Sequence, residues 1–178
     1  MDGETYNNVK EIEKGLGLPV NFLLSIYQED DWSFVIKLHS MVEAAVTHLL
    51  HTRFGDERLT DVLSALQLGH RKTGKLAFVT ALGLLSDENV RLITGLSELR
   101  NRLIHGIKNI QFDFGEYFNG LDDDRFNQFV ASFGHAFKEE SEIGGRMVKR
   151  KEIVRQEGAK TTIFLSAAYC LSDIRKLV

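Results

Sequence analysis

Three observations predict an all-α helical bundle. The 178-residue chain contains one proline, Pro19, so long segments run without the strongest helix breaker. Apolar residues recur at helical spacing over several stretches. The clearest of these, residues 86–106, also carries helix start signals. Ser86 suits an N-cap, and Asp87 and Glu88 put negative charge in the first turn, where the helix dipole favours it. Leu92, Leu96, Leu99, Leu103 and Ile107 then form one apolar stripe, while Thr94, Glu98, Asn101 and His105 fall together on the opposite side.

Composition sets the outer bounds. Apolar residues make up 43% and charged residues 26%, the balance of a globular chain long enough for one domain with a sizeable core. A net charge of −3 argues against strong nonspecific nucleic-acid binding through global charge, and leaves a local basic patch open. Cys170, the only cysteine, excludes an intrachain disulfide and a cysteine-based zinc site, and reads as a small core residue. The N-terminal residues lack the basic start and apolar run of a signal peptide, and no apolar stretch is long enough to span a membrane. A cytoplasmic protein is therefore expected, with no membrane contact.

Taken in order, residues 6–15 fit a short helix closed by Gly15 or Gly17, and Pro19 suits the first turn of a helix carrying Phe22, Leu23, Ile26 and Tyr27. After an acidic turn at 28–31, residues 33–52 form a long helix with Phe34, Leu38, Met41, Val42, Ala45 and Leu49 on one face. Glu43 and Thr47 lie opposite, and His39, His48 and His51 sit on its flanks. His48 and His51 have metal-ligand spacing but no clear third ligand nearby, so no metal is expected. Leu59, Val62, Leu63 and Leu66 mark a further short helix, and residues 75–85 another. Residues 59–82 thus invite comparison with a DNA-binding helix-turn-helix in which Arg71, Lys72 and Lys75 meet the backbone. The second helix is too apolar to lie in a groove, and two packed core helices with a basic loop fit better.

Beyond 106 the character changes. Gln111–Phe114 alternates apolar and polar and fits a short extended segment. Seven of the twelve phenylalanines lie between 112 and 137. From the N-cap candidate Asp122, five positions (Phe126, Phe129, Val130, Phe133, Phe137) form a seam suited to a core or dimer contact rather than to stacking on bases. Gly144-Gly145 marks a polar turn. Residues 139–158 are highly charged, with Lys149, Arg150 and Lys151 as candidate phosphate contacts beside Arg146 and Arg155, and 161–177 form a closing helix. No phosphate-cradling loop, dinucleotide fingerprint or nucleophile elbow is present, and no cofactor is expected.

Near the end of the 86–106 helix stands the hexapeptide Arg100-Asn101-Arg102-Leu103-Ile104-His105. It resembles the Arg-x4-6-His signature of the HEPN superfamily of all-helical domains, in which a polar residue often follows the Arg. The order of a long helix, a variable segment, the stretch 75–85, an acidic helix start and then the motif resembles the branch that contains mannitol operon repressor proteins, over about residues 20–110. Residues 121–178 would close the bundle, giving one domain over 1–178. The resemblance implies a homodimer whose motifs meet at the interface. It implies RNA cleavage by attack of the 2′-hydroxyl, in a toxin, defence or RNA-processing role, with Arg100, Asn101 and His105 as the catalytic set. It equally allows a noncatalytic regulator acting through a protein partner such as a nucleotidyltransferase, an antitoxin or a transcription factor.

The residue types suit that chemistry. Imidazole exchanges protons near neutral pH, and guanidinium holds phosphate oxygens while staying cationic. Asn101 and His105 are i,i+4 and share a face. Arg100 is about 140° away from His105 around the helix, whereas Arg102, at i,i+3, is better placed within one chain. Arg102, Glu98 and Glu43 are secondary candidates.

Overall fold

The computed structural model describes residues 3–70 and 72–178. They form a mostly helical domain with one small hairpin. In chain order the elements are α1 (Gly3–Gly15), α2 (Phe22–Gln28), α3 (Asp31–Phe54), α4 (Thr60–Ala65), α5 (Lys75–Ala81), α6 (Asp87–Ile104), α7 (Phe114–Asn119), α8 (Asp123–Phe133), β1 (Glu140–Ile143), β2 (Arg146–Lys149) and α9 (Arg150–Arg175).

Local chemistry sets the helix starts. Side chains of Asp30, Ser86, Asp113 and Asp122 each accept the backbone N–H three residues on, which begins α3, α6, α7 and α8. At α2 the carboxylate of the buried Glu13 accepts the N–H groups of Asn21 and Leu23, both at 2.8 Å. Pro19 therefore precedes α2 instead of opening it, and Asn21, at φ 64°, is the N-cap.

The core is built around α3 and the second half of α9. Val35, Val46 and Leu50 are buried on α3 alongside the predicted stripe, so this helix is enclosed on more than one face. Asp31 at its start accepts the N–H of Phe114, beyond the end of α6, and His39 at mid-helix meets Ser97 of α6. The two helices therefore run antiparallel. Lys160 of α9 pairs with Asp31 at 2.8 Å, and Asn89 at the start of α6 donates to Asp173 near the end of α9. Hence α9 lies parallel to α3 and antiparallel to α6. Phe34, Ile163, Phe164 and Leu171 fill the centre, each burial worth roughly 1.5–3 kcal/mol.

Several expectations are corrected. The extended segment expected at 111–114 is confined to Phe112 and Asp113, which form no strand. Residues Ile107–Gln111 form a 3-10 turn, and Phe114 opens α7. The strands lie at 140–143 and 146–149 instead, where Gly144 and Gly145 at φ 59° and 77° supply the two left-handed positions of a tight hairpin turn. α6 stops at Ile104, and Ile107, expected on the apolar stripe, is 85% exposed. α8 ends at Phe133, so Phe137 packs from beyond a 3-10 turn. α9 begins at Arg150 and breaks at Gly158, φ 79°, where the charged first segment turns into the apolar closing helix. α5 ends at Ala81, with Gly83 at φ 59° turning the chain toward the Ser86 cap.

Candidate functional site

The end of α6 presents the hexapeptide to solvent. Asn101, Arg102 and His105 are exposed and Arg100 is half-buried. His105 is the C-cap residue, with backbone angles still close to helical (φ −85°, ψ 5°), so it continues the outward face of α6. Gly106 then swings the chain into an extended conformation. The helix end is secured by Asn109, whose Nδ2 donates to the Arg102 carbonyl at 2.8 Å. That duty does not fall to the His105 ring, which has no hydrogen-bond or ion-pair partner among the described residues.

Of the three expected catalytic side chains, Arg100 and Asn101 meet, and no hydrogen bond joins either to the His105 ring. The Arg100 guanidinium donates to Asn101 Oδ1 at 3.0 Å, which holds it near the motif. Its charge is nevertheless felt by the buried His39 of α3, on the other side of α6. Arg102 lies on the His105 side and lines a cleft with Glu98, Glu116, Tyr117 and Arg125. Exposed Ile104, Ile107 and Ile110 surround the motif with apolar surface that this chain does not cover.

A second polar group lies inside the bundle. Lys75, expected at a phosphate, is 3% exposed, and its ammonium donates to Glu43 Oε1 at 3.0 Å. This is a correction: α5 turns Lys75, Leu76 and Val79 inward, so Lys75 is a core cation tying α5 to α3. The other carboxylate oxygen of Glu43 is 3.9 Å from His39 Nδ1, and His39 Nε2 is 3.3 Å from Ser97 Oγ. His39, expected on a flank, is thus buried. Its pKa is held below the ordinary value mainly by burial, and Arg100 and Lys75 add to that against the attraction of Glu43. Gly69 closes over the group, since a Cβ there would lie 2.8 Å from Ser97 Cβ.

The remaining basic candidates differ among themselves. Arg71 lies outside the described residues, and Lys72 is exposed in the loop before α5. Arg150 is occupied, donating to the Phe137 carbonyl at 2.7 Å and pairing with Glu139 at 2.8 Å. Lys149 and Lys151 are exposed and border an open cleft of about 760 Å³ with Asn127 and Glu140. Residues 59–82 hold two short helices joined by the connection 66–74, and the second is a core element. His48 is exposed and His51 half-exposed on α3, and among the described residues no group of three or more His, Cys, Asp or Glu is placed to hold a metal. Among the described helices none is long and apolar enough to cross a membrane.

Sequence reasoning missed Tyr117, Arg125 and Arg91, which come to the outward face of α6 from elements distant in the chain or from its own first half. It also missed Ser97, a polar residue on the arc toward α3. No protein-family model, curated protein or solved structure matches the chain.

Proposed function

We propose that the protein is a homodimeric, metal-independent endoribonuclease of HEPN type, with His105 as the proton-transfer group. The observation that carries this reading is that Asn101, Arg102 and His105 stand exposed at the end of α6 while Asn109 secures the helix end. A histidine with no hydrogen-bond or ion-pair partner among the described residues, on the same side as a guanidinium, is equipped for phosphate chemistry.

In this reading the 2′-oxygen attacks the adjacent phosphorus while its proton passes to imidazole. The bond from phosphorus to the 5′-oxygen breaks, and a second imidazole protonates that oxygen. Arg102 and Arg100 carry the charge that gathers on the phosphate oxygens. Because one chain supplies one such imidazole, two copies meet through the isoleucine-rich surface around Ile104, Ile107 and Ile110, and each contributes its motif. The products are 2′,3′-cyclic phosphate and 5′-hydroxyl ends.

The same isoleucines favour a second reading, a noncatalytic regulator that seats a protein partner there. Mixing separates the two. Excess His105→Ala protein, mixed with the parent and allowed to exchange subunits, should suppress the parent's RNA cleavage, because each mixed dimer holds one His105 imidazole in place of two. A monomer by light scattering at micromolar concentration, with no cleavage by the parent protein, would leave only the regulator.

A further inference from the structure

The outward face of α6 is the floor of a trough. At about 100° per residue, Arg91, Thr94, Glu98, Arg102 and His105 fall within an arc of about 80°. α5 forms one wall through Leu76, Ala77, Thr80 and Ala81, and α7 with α8 forms the other through Tyr117, Arg125 and Gln128. α8 approaches closely because position 95 is glycine: a Cβ there would stand 2.8 Å from Phe133 Cζ.

Two chambers of about 540 and 560 Å³ adjoin along this floor and share Gly95, Glu98 and Ser132. Their linings differ. The first has Leu76, Ala77, Ala81 and Val90; the second has Arg102, Arg125, Tyr117 and Gln128. Burial pushes the Tyr117 hydroxyl pKa up, and the charges of Arg102 and Arg125 oppose it, so both guanidinium groups bear on that hydroxyl. Glu98 is exposed at the junction and has no ion pair among the described residues.

We propose that this trough binds one ribonucleotide unit, with the base in the apolar chamber, the ribose hydroxyls on Glu98 and the phosphate between Arg102 and Arg125. The division matches the ligand's own chemistry. A carboxylate is acceptor-only and pairs with a sugar's hydroxyl donors, as acidic residues do at ribose in dinucleotide sites. Guanidinium pairs with phosphate in two-pronged fashion. Each chamber lies in the size range of small-molecule pockets. Glu116 on the second wall and Asp122, 3.6 Å from Arg125, limit the negative charge accepted, so a phosphodiester or monophosphate fits better than a polyphosphate.

The unit can come from a free nucleoside monophosphate or from one residue of a single-stranded RNA. His105 lies three residues beyond Arg102 on the same face, about 4.5 Å along the axis, so a strand leaving the second chamber passes the motif. The RNA source rests on the ribonuclease reading, whereas the trough does not.

Equilibrium binding to the full chain carrying His105→Ala, which leaves RNA intact, tests the proposal with adenosine, AMP, deoxy-AMP and a short single-stranded RNA. Arg102→Ala should weaken AMP by about tenfold or more, the size of one charged hydrogen bond, and leave adenosine unchanged. Glu98→Gln should erase most of the preference for AMP over deoxy-AMP. Both side chains are exposed, so the variants should stay folded, and Arg125→Ala gives an independent check of the phosphate end. Tight RNA binding with the same sensitivities identifies RNA as the source, and AMP binding without RNA binding identifies the free nucleotide. The proposal fails if AMP does not bind at millimolar concentration, or if neither Arg102→Ala nor Glu98→Gln changes binding. Binding in the trough by a parent protein that cleaves no RNA removes the ribonuclease reading alone.

Discussion

Two groups of polar side chains draw on the same residue types and meet opposite fates. Inside the bundle, Lys75, Glu43, His39 and Ser97 answer one another across α5, α3 and α6 at 3.0 to 3.9 Å. At the end of α6, Arg102 and His105 stand in solvent, and the His105 ring meets no hydrogen-bond or ion-pair partner among the described residues. A buried charge persists only when paired, so the first group is explained by folding. The second group has no hydrogen-bonded or ion-paired side chain among the described residues, and Asn109 serves the helix-end carbonyl, which is why the proposed chemistry is placed there. Residue type does not tell the two groups apart; the count of satisfied partners does.

The comparison can be broken by substitution. The largest stability effect should come from Lys75→Ala, which removes the cation from a half-exposed carboxylate and empties core volume. A loss of about 2–3 kcal/mol is expected, below the range for fully buried pairs because Glu43 is partly solvated. Lys75→Met, which keeps the volume, should recover much of it. Urea denaturation measures both, and equal losses would mean that the charge matters more than the packing. Next comes Gly69→Ala, which must displace Ser97 and should cost about 1–3 kcal/mol. His105→Ala should leave the melting temperature within about 2 °C of the parent.

Acid should sharpen the contrast. Burial is the first cause of a lowered pKa for His39 and also for His135, whose buried ring nitrogens have no hydrogen-bond partner among the described residues. The unfolded chain therefore takes up these protons more readily than the folded one. Stability from both rings is complete above the ordinary value of 6.5 and is lost as pH falls from there through the lower folded values. Urea midpoints at pH 5 and 7.5 should differ accordingly, and His39→Gln should flatten the slope. The smallest functional effect should be at Cys170. Its buried thiol is pushed up to about 12 by burial and by Asp173. A thiol reagent should label it only in denaturant and leave native function unchanged.

Much of the helical plan was legible because it is local. The Ser86 and Asp122 caps and the buried seam of Phe126, Phe129, Val130 and Phe133 appear where spacing places them. At Gly144-Gly145 the turn was legible and the hairpin was not, because its two strands have four residues each and carry too little apolar alternation to stand out. Ile107 misled because a stripe predicts burial only while the helix lasts, and Gly106 ends it. The burial of Lys75 and His39 could not be read, since a charged or titratable residue near an apolar run looks exposed until the packing of α3, α5 and α6 encloses it. The same holds for the trough, whose walls come from α5 and α8 and whose Arg125 lies 23 positions from Arg102, by 125 − 102.

The most direct test of the division between the two polar groups is a crossed measurement on one RNA panel with a chelator present. Each of the parent, His105→Ala and Lys75→Met is assayed at a temperature where all three are folded, with product ends identified by mass. His105→Ala should lose a factor of about 10² to 10⁴ in cleavage while keeping its melting temperature. Lys75→Met should keep cleavage through 2′,3′-cyclic phosphate ends while its stability moves. Intact RNA with the parent protein, together with unchanged RNA binding by His105→Ala, would contradict the assignment of chemistry to the end of α6.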